Sequence, residues 1–181
     1  MDITLGDAVY GIKQWFALCG ISVVILGPLS VARAASCRAM AGHVPAQLEG
    51  WIHKVPLRSA TGPKGLGLAR LRVGVASSVV LHHTPSVHYV VEPDQPGGAV
   101  AYGGLAEVMV RRAGLYQVSL NSGAWIDMVL GDRKVASVAH GHGPSCTGIR
   151  KIVDFPLQRG TYVVQISANV SAMLDLMISQ K

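Results

Sequence analysis

Leu115-Tyr116-Gln117-Val118-Ser119-Leu120 is the stretch whose reading decides the fold. Its apolar side chains fall at every second position, so an extended backbone puts Tyr116, Val118 and Leu120 on one face and Gln117 and Ser119 on the other. A helix would scatter the same residues around its axis. The pattern therefore predicts a half-buried antiparallel strand.

The same alternation recurs in 161–167, with Tyr162, Val164 and Ile166 inward, and in 173–179, with Leu174, Leu176 and Ile178 inward. Further strand candidates are 68–81, 87–91, 105–110, 125–130, 134–139 and 149–155. Between these runs lie Ala113-Gly114, Asn121-Ser122-Gly123, Gly131-Asp132, Gly143-Pro144, Arg159-Gly160 and Asn169, residue types that favour reverse turns. Short strands punctuated this regularly indicate a single all-β antiparallel sandwich of jelly-roll type, with about eight or nine strands over 68–181. Residues 35–67, with one short helical turn over 46–53 before the Pro and Gly around Val55-Pro56 and Gly62-Pro63-Lys64-Gly65, read as an otherwise irregular lead-in.

Ahead of this, 15–29 is an almost unbroken apolar run, followed by Ala32-Arg33-Ala34, a small-x-small cleavage pattern. That combination predicts a secretory signal peptide over 1–34 and a soluble product in the periplasm or outside the cell. The alternatives are a membrane anchor over 15–31 or lipidation at Cys37, where Ala34-Ala35-Ser36-Cys37 loosely resembles a lipobox. Processing near Ala34 leaves about 147 residues, the size of one domain. Of the three cysteines, Cys19 leaves with the leader, and in an oxidising compartment Cys37 and Cys146 are expected to pair.

The net charge of +6 is unchanged by removing Asp2, Asp7, Lys13 and Arg33. Basic residues occur as scattered pairs, Arg70 with Arg72, Arg111 with Arg112, Arg133 with Lys134 and Arg150 with Lys151, rather than on one basic helix. Nucleic acid is therefore not the expected partner. Attraction to an acidic partner or an anionic membrane surface is the alternative to a merely solvated surface.

His140-Gly141-His142-Gly143-Pro144-Ser145-Cys146 is the densest concentration of reactive side chains, and with Arg150 and Lys151 it forms the candidate binding loop. On a strand, His140 and His142 would share a face, and His82, His83 or His88 from another strand would complete a three-imidazole site for Cu or Zn. The competing reading has the histidines merely hydrogen-bonding the loop together, with no cofactor. No acidic residue stands beside His140 or His142 for a two-His, one-carboxylate iron site, and His88 with Glu92 is the nearest match. The chain carries no Gly-x-Ser-x-Gly elbow and no Walker loop. Catalytic residues are accordingly not assigned. A carbohydrate-binding sandwich would need exposed rings, and Trp51 and Trp125 are the indoles of the mature part; Trp125 is expected in the core.

The segments Pro96-Gly97-Gly98, Tyr102-Gly103-Gly104, Ala113-Gly114-Leu115-Tyr116, Ser122-Gly123-Ala124-Trp125-Ile126-Asp127 and the run from His140 to Asp154 resemble a family of small exported proteobacterial proteins. Members often carry the label homogentisate 1,2-dioxygenase. The resemblance, over about 88–178, implies an exported sandwich with the His-Gly-His-Gly-Pro-x-Cys run as its signature. In processed size and export the chain is also similar to the smallest, cofactor-free subunit of membrane-bound quinohaemoprotein alcohol dehydrogenases. The expected function is a non-catalytic binding or accessory module with a protein partner in the periplasm, such as a membrane-bound dehydrogenase complex. Metal binding through His140 and His142, or carbohydrate binding, is the alternative.

Overall fold

A computed structural model describes Cys37 and residues 44–181, all within one compact unit, Ala35–Lys181. The leader expected over 1–34 and the anchor over 15–31 lie outside the described residues. Twelve strands form among the described residues. The first six are β1 (Lys54–Arg58), β2 (Arg70–Leu71), β3 (Ala76–Val80), β4 (His82–His83), β5 (Tyr102–Val110) and β6 (Gly114–Leu120). The rest are β7 (Trp125–Leu130), β8 (Arg133–Val135), β9 (Ala139–Gly141), β10 (Lys151–Leu157), β11 (Gly160–Asn169) and β12 (Met173–Gln180).

They build two facing sheets, ordered β1-β3-β12-β6-β10-β9 and β2-β5-β11-β7-β8, with β4 also paired to β5. The inner part of this order, β3-β12-β6-β10 facing β5-β11-β7-β8, is the arrangement of a jelly roll, in which the chain repeatedly crosses between sheets. The expected fold class is present. The additional strands are short edge pieces, and two of them pair in parallel, β1 with β3 and β2 with β5.

Tyr116, Val118 and Leu120 face the interior, as the alternation predicts, together with Tyr162, Val164, Ile166, Leu174, Leu176 and Ile178. Three expectations need correction. First, the lead-in 35–67 contributes a strand, because β1 extends the first sheet, while the short turn expected over 46–53 is present as the 3-10 turn Ala46–Trp51 against that sheet's outer face. There Leu48 and Trp51 cover Ala76, Ile149 and Met177 in a second small core. β6, at the centre of that sheet, is buried on both faces, Gln117 and Ser119 included.

Second, 87–91 is not a strand but an irregular segment that bends at Val90 and Val91. The amide of buried Gln165 takes the place of a neighbouring backbone. Its Oε1 accepts from the N–H groups of Val90 (2.7 Å) and Val91 (3.1 Å), and its Nε2 donates to the Val91 carbonyl (2.8 Å). Third, 68–81 and 134–139 are each broken. The first splits into β2 and β3 at a turn in which Gly74 adopts φ +82°, a region open to glycine at little cost. The second passes from β8 in one sheet to β9 in the other.

Candidate binding site

The His140–Lys151 segment folds as an edge strand, β9, and a tight loop that returns to β10. Ile152 pairs with Gly141 and Val153 with His140. The loop is held from several sides. Cys146 is bonded to Cys37, with their Cα atoms 5.1 Å apart. Thr147 Oγ1 donates to the Pro144 carbonyl (2.7 Å), and the Trp51 indole N–H donates to the Thr147 carbonyl (2.9 Å). A Cβ on Gly143 would collide with the side chain and carbonyl of Ile149, so the second Gly of the motif is a packing requirement. Cys146 itself sits at φ 65°, a conformation L-residues seldom adopt, and the disulfide and flanking hydrogen bonds hold it there.

The histidine set is not brought together. His140 and His142 are both exposed on and beside β9, and the Nδ1 of His142 lies 3.0 Å from the Arg150 carbonyl. His82 and His83 pair with Gly103 and Tyr102 in the other sheet, where His82 Nε2 contacts the Ser59 carbonyl at 2.9 Å and His83 stacks on Tyr102. His88 lies beside Gly62, its N–H donating to Thr61. The three-imidazole site is thus divided between sheet edges that the jelly-roll order separates. Among the described residues, no three His, Cys, Asp or Glu side chains form a metal-ligand cluster.

What the fold does assemble is a cleft of about 160 Å³ lined by Trp125, Ile126, Ser137, His140, Lys151 and Val153. Ile126 and Val153 are interior residues whose edges form an apolar floor. The Lys151 ammonium stands 5.3 Å above the Trp125 ring and donates to the Ala124 carbonyl (2.9 Å). Burial pushes the Lys151 ammonium below the usual lysine range. A second depression on the other side of His140 is bordered by Gln117, Gly141, His142, Asp154 and Lys181. Asp154 is buried and accepts from Lys181 Nζ at 2.6 Å.

Trp125 corrects the sequence reading. It shares a face with Asp127 and points away from the core, which Ile126 and Met128 enter instead. The acidic residue two positions on was the available signal. The indole N–H donates to Asp127 Oδ1 (3.0 Å), which fixes the ring's orientation at the cleft. Asp127 is 6% exposed and its Oδ2 has no partner, so desolvation raises its carboxyl above the usual range. Nearby Tyr89 is pushed up to about 12, first by burial and then by Glu92 and Asp127. Trp51, the other indole considered for sugar binding, is buried at 4% exposure and serves the second core.

Of the residues assigned to the loop, His140 and Lys151 therefore share the cleft. Gly141 and His142 border its neighbour, while Gly143 and Pro144 shape the turn. Arg150 is exposed, and its backbone N–H ties the loop to Leu120 (2.7 Å). Ser137 and Trp125 were not anticipated as partners of His140, because neither is near it in a recognisable motif. No family model matches this sequence, and no curated protein gives a significant match.

Proposed function

We propose that the chain is an exported, non-catalytic binding module that seats a single side chain of a protein partner in the Trp125–His140–Lys151 cleft. The observation that carries this reading is the convergence of a partly exposed indole, an ammonium and an imidazole around an apolar floor. Such a combination of one aromatic anchor and a few placed polar groups suits recognition. Cys146, spent in the disulfide, is not a nucleophile in this state. The partner class is a protein of the cell envelope, a membrane-bound quinohaemoprotein dehydrogenase complex being the instance that size and export suggest.

A photo-crosslinking side chain at Ser137 tests this in cells producing the full chain. The expected result is one discrete protein adduct that disappears on Trp125→Ala and is not formed from the same probe at Lys64. Equal adducts from both positions, or an adduct insensitive to Trp125→Ala, would overturn the reading. Carbohydrate binding is the second reading, favoured by the same partly exposed Trp125 ring. It would show as saturable oligosaccharide quenching of indole fluorescence that Trp125→Phe removes.

A further inference from the structure

Arginines that are scattered in the sequence meet at one end of the sandwich. β5 ends at Val110 opposite Gly160, β6 begins at Gly114 opposite Leu157, and β2 runs parallel to β5 toward the same end. The turns after β2, β5 and β10 therefore lie side by side, and they carry Arg72, Arg111 with Arg112, and Arg159. A cleft of about 490 Å³ is lined by Arg72, Arg111 and Arg112, with Val73, Met109 and Tyr116 among its other walls. The adjoining depression shares Met109 and Arg111 and adds Arg159.

No Asp or Glu among the described residues lines either depression. Among the described residues, Arg70 is neutralised by Glu107 at 3.4 Å, whereas none of Arg72, Arg111, Arg112 and Arg159 takes part in an ion pair. The backbone beneath them is firmly set. Tyr116 Oη donates to the Arg112 carbonyl (2.8 Å), and the Gly74 N–H donates to the Ile178 carbonyl (2.7 Å). Exposed apolar side chains interleave with the charges, Met109 at 59% and Val73 at 36% exposure.

We propose that this end of the sandwich docks on the anionic face of a phospholipid bilayer. Guanidinium groups bind phosphate oxygens through paired N–H donors, and turn tips that end together present them to a flat surface at once. The exposed Met109 and Val73 suit the headgroup boundary, whereas an acidic protein segment would cover them only in part. The geometry also gives a direction. β6 and β10 span the sandwich from the arginine turns to the Leu120–Lys151 pair, roughly 20 Å away at strand rise, so the loop after β9 faces away from the membrane. This inference does not depend on what the Trp125 cleft binds.

The test measures partitioning of the full chain onto vesicles containing phosphatidylglycerol and onto pure phosphatidylcholine vesicles. The ratio of the two isolates the charge-dependent part from any apolar contribution common to both. Each arginine near an anionic surface adds roughly fivefold to partitioning, so the triple change Arg72→Gln, Arg111→Gln, Arg112→Gln should lower the ratio by roughly a hundredfold. The control triple Arg58→Gln, Lys64→Gln, Arg133→Gln removes the same charge elsewhere and should lower it by less than tenfold. Equal losses in the two triples would reduce the effect to net charge and overturn the site. Tight, saturable binding of inorganic phosphate without vesicle preference, or polyglutamate binding stronger than vesicle binding, would overturn the lipid in favour of another anion. Melting curves identify any variant that has not folded, and single Arg111→Gln then replaces the triple, with roughly a fivefold loss expected.

Discussion

Asp127 shows how one residue links the hidden layer of the protein to its candidate site. One carboxylate oxygen orients Trp125 at the cleft and the other is buried without a partner. Its carboxyl is raised above the usual value, chiefly by desolvation, so the fold favours the protonated form. The stability this represents is fully present below the unfolded-state value near 4 and is lost as pH rises through the folded-state value. Asp127→Asn keeps an acceptor for the indole N–H while removing the charge. Its stability should match the wild type at pH 3 and exceed it at pH 7 by roughly 0.5–1 kcal/mol after solvent screening is allowed for. Urea midpoints at the two pH values check this, and a variant less stable at pH 7 would show that the charge is compensated. The histidines teach the opposite lesson. Their spacing was visible in the sequence, but which imidazoles become neighbours is decided by sheet order, and the order keeps His82, His83 and His88 away from His140.

At the scale of elements, side chains replace missing backbone pairing. Gln165, on the outer face of β11, holds 87–91 through three hydrogen bonds, and Ser167 adds another to the Gln95 carbonyl at 2.7 Å. Tyr89, within this segment, adds a further tie to β11, its hydroxyl donating to the Ile166 carbonyl at 3.1 Å. Gln165→Leu leaves the amides of Val90 and Val91 without an acceptor. Their hydrogen exchange should accelerate at least roughly tenfold, while amides in β6 keep their protection. Unchanged exchange at Val90 and Val91 would mean that packing alone holds the strap. Edge strands such as β9 and β8 are equally short, three residues each, and this brevity limits edge-to-edge association.

For the whole molecule the disulfide is the main long-range constraint. Cys37 and Cys146 are 109 residues apart, and the chain-entropy account assigns a loop of that length about 4 to 5 kcal/mol. Reduction, or Cys37→Ser, should lower unfolding stability by about that amount, read as a shift of the denaturant midpoint between oxidised and reduced protein. A loss below about 1 kcal/mol would show that Trp51 and Leu48 hold the segment before β1 without the bond. The bond also joins that segment to the loop after β9, so reduction should loosen the loop before the sandwich.

By itself the sequence determined the strands with one-sided alternation, the turns between them, the sandwich class and the cysteine pair. Those features follow from local geometry, since a period of two admits one secondary structure, and from assigning Cys19 of the three cysteines to the expected leader, which leaves Cys37 and Cys146 to pair. Tertiary structure alone decided which faces of β6 are covered, where Trp125 points and how 87–91 is held. It also decided that Lys151 and His140 share a cleft, and that Arg72, Arg111, Arg112 and Arg159 share an end. These are contacts between residues remote in the chain, set by the strand order of a jelly roll, and alternation along a single strand carries no information about which strand lies beside it.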